Sequence, residues 1–496
     1  MKKTNTLLLV LSLGLFTSCG TTTRIRTTQK PVERNVTILA VNDMHAAIDA
    51  IPRLAFVADS LRALYPGLLL VSAGDNQTGD PANDMYQPTG YPMISLMNDL
   101  GFVLSAVGNH EFDSGLLGFE YLSQQAKFPF ISANVFKPAD SPLKLQPYVI
   151  LTQKDGTKVF FVSLLDIVKT TGIPPAHPDQ VKGFTFRAPL ELAREFDDIA
   201  KTVDIPIFIN HLGLEIDKEL TRLLDPKLYP LIIGGHSHDL VPENTTINGV
   251  YLTQAKNRLS YATLIQVKKR ADGSYDIRSQ NIQISKNKEG QKDPAFAEKV
   301  NAFLDNPSLQ RVLGKFFNPL PNKEQIGYFV TDALLDYSKA DFAIVNKGNI
   351  RVETIPQGEV TVRDIFTLDP FGNEAVNVSL TGHQLIDLLK RHFAGDGYKV
   401  CYPAGFQIRY KAKSYEEDEF KDTEIELFDL DGKPLDLDKT YTVAMNSYIS
   451  AAFLPEGATV TSLYKPTAEL TMEYIAKLKT VPSYNTVHRV ELITIN

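Results

Sequence analysis

At 496 residues the chain is too long for one ordinary core, and two domains are expected. Hydrophobic residues make up 43% and charged residues 22%, the proportions of a soluble globular protein. The 51 basic residues against 58 acidic ones leave a formal charge of −7, which argues against a nucleic-acid polymer as partner unless a local basic cleft makes the contact.

The start of the chain is an address rather than part of a fold. Lys2 and Lys3 give it charge, Leu7–Phe16 is an apolar core, and Thr17-Ser18 precede Cys19. The apolar stretch is too short to span a bilayer stably, so residues 1–19 read as a secretory signal. Small residues directly before a single cysteine resemble a bacterial lipoprotein signal, which implies cleavage and lipid attachment at Cys19. A plain signal peptide with an incidental cysteine is the alternative. Residues 20–34, rich in Thr and basic side chains, form an expected flexible tether. On this reading the protein is a monomer of the cell envelope, touching membrane through its lipid alone, as a periplasmic or outer-membrane lipoprotein. Cys401, the other cysteine, then lacks a disulfide partner and reads as a small buried hydrophobe.

Folding is expected to begin near Asn35. Val36–Val41 is a continuous apolar, β-branched run, as in a strand covered on both faces, and Asn42-Asp43-Met44-His45 follow it. Asp43 and His45, two apart on an extended chain end, point to one side. A helix over Arg53–Leu64 and a strand over Leu68–Val71 lead to Gly74-Asp75-Asn76. The next strand, Phe102–Val107, ends at Gly108-Asn109-His110-Glu111. Asn109 offers a neutral oxygen, and His110 a nitrogen that binds metal or carries a proton. Asp113, three residues on, is placed to hydrogen-bond the His110 ring. Ile205–Ile209 then runs into Asn210-His211, and Leu231–Ile233 into Gly234-Gly235-His236-Ser237-His238.

A strand-end Asp is commonly a turn former or helix cap, and a strand-end His a satisfied surface residue. Here five apolar runs close on such residues, at one edge of one expected sheet, and take up five of the nine histidines. Strand carboxyl ends are where open α/β sheets bind ligands. Two divalent metals sharing a carboxylate need this inventory of histidines, two Asp and an Asn. His177, His383, His392 and His488 close no such run and read as ordinary structural or surface residues.

Asp43-x-His45, Gly74-Asp75-Asn76, Gly108-Asn109-His110-Glu111, His211 and Gly235-His236-x-His238 together resemble the calcineurin-type metallophosphoesterases. More narrowly, VNDMHAAID, SAGDNQTGD and AVGNHEFDSG resemble the 5′-nucleotidase family, which includes UDP-sugar hydrolases. The resemblance implies an α/β chain: an N-terminal metallophosphoesterase β-sandwich flanked by helices over residues 35–290. A helical connection over 291–314 and a C-terminal α+β substrate-recognition domain over 315–496 complete it. It further implies that Asp43, His45, Asp75 and His238 hold one metal. Asp75, Asn109, His211 and His236 hold the other, with Asp75 bridging. Zn, Mn, Co and Fe all suit such ligands. His110 is implied to face the substrate, stabilising phosphoryl oxygens or protonating the leaving oxygen, with Asp113 orienting its ring. Asn210 departs from the family, which usually has Ser before this His.

In the second half, Tyr251–Asp293 alternates as strands do, Lys286–Lys292 reads as an exposed connection, and Pro294–Leu304 has helical spacing. Lys323–Ser338 carries apolar residues at helical period, from Ile326 to Tyr337. The strand Phe342–Val345 leads to Asn346-Lys347-Gly348-Asn349-Ile350-Arg351, which resembles the family's Asn-Gly-Gly-x-x-Arg signature with Lys347 replacing the first Gly. By that likeness Arg351 binds substrate phosphate, a task that suits a bidentate guanidinium. Pro370-Phe371-Gly372-Asn373 matches another family segment. Arg391, on a helix over Gln384–Phe393, is a further phosphate candidate. The family's late glycine-rich aromatic segment is missing after Asn446. Tyr448 or Phe453, with Tyr402 opposite, are candidates to flank the base, and core packing is the alternative for each.

The expected reaction is hydrolysis of nucleoside 5′-monophosphates outside the cytoplasm, by a water that the two metals activate. Cleavage of 2′,3′-cyclic nucleotides or UDP-sugars on the same metals is the alternative, as is a lipid-anchored protein that binds nucleotides without turnover.

Overall fold

The computed structural model describes residues 33–284, 291–395, 400–412, 423–455 and 457–494. The signal segment, Cys19, nearly all of the tether and most of Lys286–Lys292 lie outside the described residues.

The first domain is two sheets face to face. One has seven strands, in the order Tyr275–Gln283, Tyr261–Lys269, Arg34–Val41, Leu69–Ser72, Phe102–Ala106, Phe130–Ile131 and Leu145–Gln146. From Arg34–Val41 to Leu145–Gln146 the neighbours run parallel. The second sheet has six strands, with Lys158–Val162, Ile205–Ile209, Leu231–Ile233 and Val250–Thr253 parallel at its centre.

The apolar runs lack polar alternation because both faces of each strand are covered. Ile38, Ala40, Ile207 and Ile209 point between the sheets, while Leu39, Val41 and Phe208 point outward to flanking helices and loops. Truncating Ile207, fully buried between the sheets, to Ala should cost about 2–5 kcal/mol. One sheet edge was expected to carry all five chemical strand ends. Instead Asp43, Asp75 and Asn109 follow strands of the first sheet, and His211, His236 and His238 follow strands of the second. Coverage by a helix and coverage by a second sheet leave the same all-apolar pattern, so the sequence does not distinguish them.

Helix Pro294–Leu304, N-capped by Asp293, packs on helix Ile51–Leu64 and leads into the second domain. There a five-stranded sheet runs Cys401–Ala404, Phe342–Asn346, Thr440–Asn446, Glu374–Thr381 and Val460–Pro466. Helix Lys323–Ser338 starts at Asn322, whose side chain accepts the Gln325 N–H, and it packs on that sheet. Val312–Phe316, within and just past the expected connection, pairs with Gly358–Thr361 and Thr480–Val481. Cys401 is buried, as its apolar run suggests, and is a free thiol among the described residues. No helix among the described residues is long and apolar enough to cross a membrane.

Candidate metal centre and the cleft above it

The loops after the parallel strands meet where the two sheets' carboxyl ends adjoin. Their closeness explains the glycines beside the ligand candidates. A Cβ on Gly108 would lie 2.2 Å from Asp75 Oδ1, and one on Gly74, at φ +91°, 2.8 Å from the Gly108 nitrogen. Asp43, His45, Asp75, His236 and His238 also stand at positive φ, between 44° and 82°. Left-handed backbone is costly for such residues and persists only where the surroundings impose it, which marks functional sites.

The side chains converge in three groups whose ligand atoms lie within 4.8 Å of one another: Asp43, His45 and His238; His45, Asp75 and His110; Asp75, His211 and His236. Asp75 belongs to two of them. His45 Nε2 lies 2.9 Å from His238 Nε2. His211 gives Nδ1 to the Ala73 carbonyl at 2.8 Å and keeps Nε2 buried, 3.1 Å from Asp75 Oδ2 but without a hydrogen bond's alignment. Asn109 donates to the Pro175 carbonyl at 3.1 Å, leaving its Oδ1 buried and unbonded. Buried polar atoms without partners are rare. An oxygen and a nitrogen left so beside two buried carboxylates fit divalent cations.

Electrostatics agree. Burial alone would raise Asp75, but His211 and His110 outweigh it and hold its carboxyl well below the usual range. Asp43 is lowered too, His238 and His211 overcoming its burial. Both carboxylates therefore stay ionised without solvent. Burial, reinforced by Arg351, pushes His45 well below its ordinary value, and burial lowers His238. Neutral imidazoles are the ligating form, which His45 and His238 therefore favour. For His211, burial is overcome by Asp75 and Asp43, which push it up to about 10.

His110 is oriented by a carboxylate on its outer nitrogen. Its Nδ1 lies 2.7 Å from Asp113 Oδ2, and its backbone N–H donates to Asp75 Oδ1. Burial opposes its charging, yet Asp113 and Asp75 prevail and raise it above 6.5. It lines a cleft of about 710 Å³ whose far wall is the second domain. There Phe371 stacks on the His110 ring at 5.6 Å, and the Arg351 guanidinium lies over Phe371 and 2.9 Å from His45 Nε2. The loop after Phe342–Asn346 thus carries Arg351 to the metal-side wall.

Other second-domain candidates go elsewhere. Tyr448 lines the cleft, but Phe453 is buried behind it, edge-on to Tyr448 at 5.7 Å and to His392 at 5.0 Å. Tyr402 is buried against Gly327, where a Cβ would lie 2.0 Å from its ring, because its strand turns that face toward helix Lys323–Ser338. Arg391 faces solvent and pairs with Asp387 one helical turn back, at 2.9 Å. These three residues are not part of the cleft wall. His177, which closes no apolar run, does line it.

Glu111, the last residue of the Gly108-Asn109-His110-Glu111 segment, has a structural task that no sequence pattern signals. Its buried carboxylate accepts the N–H groups of Gly108, Asp75 and Asn76 and the Asn76 amide, so it fixes the Asp75 loop against the Asn109 loop. Burial, then the Asp75 charge, pushes it up to about 7 against those donors. Asp166, also unforeseen, sits on the cleft wall 3.5 Å from His236 Nε2.

Residues 36–240 match the family model of calcineurin-like phosphoesterases, and residues 317–453 that of the 5′-nucleotidase C-terminal domain. The chain is similar to Protein UshA of Salmonella pullorum, 25% identical over 88% of this chain and 89% of that one. Its fold resembles a 5′-nucleotidase precursor from Thermus thermophilus, with TM-score 0.80 and 23% identity over 93% and 100% of the two chains. It also resembles a sulfate thiohydrolase, SoxB, from Thermus thermophilus, with TM-score 0.77 and 15% identity over 93% and 97%. Fold and ligand geometry together define a calcineurin-like phosphoesterase, a metal-dependent phosphoester hydrolase. The chain thus joins a calcineurin-like phosphoesterase domain to a 5′-nucleotidase C-terminal domain.

Proposed function

We propose that the protein releases orthophosphate from nucleoside 5′-monophosphates in the cleft between its domains. The observation that carries this reading is the opposition of two walls: the His, Asp and Asn cluster on one, Arg351 and Phe371 on the other. Asp43, His45, Asp75 and His238 would hold one divalent cation, and Asp75, Asn109, His211 and His236 the second, with Asp75 common to both sets. When bound, such a pair activates the attacking water and offsets charge on the phosphoryl oxygens.

The chain's own groups do the rest. Arg351 binds the phosphoryl group through its guanidinium fork and holds it against the cluster. Asp113 accepts the Nδ1 proton of His110, which fixes the ring and leaves Nε2 for the substrate. As the P–O ester bond breaks, its electron pair goes to the leaving oxygen, which takes the proton from Nε2. The Asp113 carboxylate beside Nδ1 favours the protonated form this step needs. Phe371 and Tyr448 offer apolar faces beside the phosphate position for a nucleoside.

We place the enzyme on the cell envelope, anchored through Cys19. Incorporation of labelled fatty acid into the chain, lost in Cys19→Ser, tests the anchor. For the reaction, a form lacking residues 1–19 is assayed with Mn, Co or Zn for phosphate release. AMP, UMP, UDP-glucose, 2′,3′-cyclic AMP and phenyl phosphate are the substrates. The expected result is fast release from AMP and UMP with little from phenyl phosphate. Preference for UDP-glucose, the cyclic nucleotide or the phenyl ester contradicts the nucleoside-monophosphate reading.

A further inference from the structure

We propose that Asp166 is a positioning residue for the second cation site, holding the His236 imidazole so that Nδ1 is turned to the cation. The inference rests on the ligand set just given. Two cluster histidines share one arrangement, in which one nitrogen is held by an oxygen acceptor and the other faces the cluster: His110 has Asp113 at 2.7 Å and His211 has the Ala73 carbonyl at 2.8 Å. His238 differs, with the donating Asn257 amide nitrogen 3.0 Å from its Nδ1. Asp166 completes the pattern for His236, its Oδ2 lying 3.5 Å from Nε2.

The backbone keeps Asp166 in place. Its N–H donates to the His211 carbonyl at 2.9 Å, and the preceding Leu165 forms a parallel bridge with His211. The carboxylate is thus registered against the same strand end that presents a ligand of that cation. His236 needs such help more than most. Its backbone stands at φ +82° and its N–H is committed to Asp43, so main-chain bonding fixes the residue but not its ring. A neutral imidazole carries one N–H. Asp166 accepting it at Nε2 puts the free lone pair on Nδ1, and the contact closes into a hydrogen bond once that nitrogen ligates.

The test is a Co²⁺ titration of the chelator-stripped full chain, followed by the visible absorption of bound cobalt. Asp166→Ala and Asp166→Asn are compared with the wild type, and each metal-free chain is melted. Wild type is expected to bind two cations. Asp166→Ala should bind the first as tightly and the second about 10–100-fold more weakly, with an altered spectrum and an unchanged metal-free melting temperature. Asp166→Asn, whose amide oxygen also accepts from Nε2, should keep the wild-type affinity. An Asp166→Ala chain that binds both cations normally overturns the proposal, as does an Asp166→Asn chain as weak as Asp166→Ala. Variants that both melt lower without metal show a structural role and overturn it too. A wild type that binds no cobalt overturns the ligand set itself, and this inference with it.

Discussion

The two walls of the cleft are built in opposite ways. On the first-domain wall, Asp43, His45, Asp75 and His211 are almost fully buried, and much of the backbone is left-handed. That wall is fixed by glycines with no room for a Cβ and by Glu111, which ties two loops together. On the second-domain wall, Arg351, Phe371 and Tyr448 are half-buried, and their backbone is not left-handed. Chemistry with cations tolerates little displacement of its ligands, whereas recognition by rings and one guanidinium can shift with the substrate.

The comparison breaks first at Asp75, the carboxylate common to two ligand groups. Asp75→Ala should lose both cations and reduce phosphate release to background, which metal analysis beside a phosphate assay will show. His110→Ala should lower kcat about 10²–10⁴-fold while cation content and KM stay near wild type. Loss of bound cation in that variant contradicts its place outside the ligand set. Arg351→Ala removes a charge-assisted hydrogen bond of about 1.5–3 kcal/mol, so kcat/KM should fall about 10–100-fold, chiefly through KM. Phe371→Ala should cost about 0.5–1.5 kcal/mol, a few-fold in kcat/KM, and Arg391→Ala nothing measurable. A large loss in Arg391→Ala would return that residue to the cleft.

A smaller effect tests the frame behind the first wall. Asp217 is buried and accepts from Asn210, the neighbour of His211. Burial pushes its carboxyl up to about 7 against the Asn210 hydrogen bond. Its folded value lies above the unfolded 3.8, so its stabilising share is whole below that value and lost as pH rises through about 7. In chelated protein, wild type should therefore lose melting temperature relative to Asp217→Asn across that window. A difference that stays flat with pH contradicts the shift.

What was legible follows the same division. Ligand types that close apolar runs stand out in sequence, and the structure gathers Asp43, His45, Asp75, Asn109, His211, His236 and His238 at one place. Helices Pro294–Leu304 and Lys323–Ser338 span the residues their spacing predicts, and Asp293 and Asn322 cap their starts. The division of strands between two sheets was hidden, since burial by sheet or helix leaves one pattern. Glu111 and Asp166 act through backbone groups and an imidazole nitrogen, and neither contact has a sequence signature. Tyr402, Phe453 and Arg391 misled because a ring in an apolar run, or an Arg on an amphipathic helix, looks the same facing a core, solvent or a cleft.

The central claim is that two cations on the first wall carry the reaction. The most direct measurement adds Mn²⁺ stepwise to chelator-stripped protein while phosphate release from AMP is followed. The account predicts no release without cation and a rate that rises to a break at two equivalents per chain. Full turnover in the stripped protein, or a break at one equivalent, would contradict it.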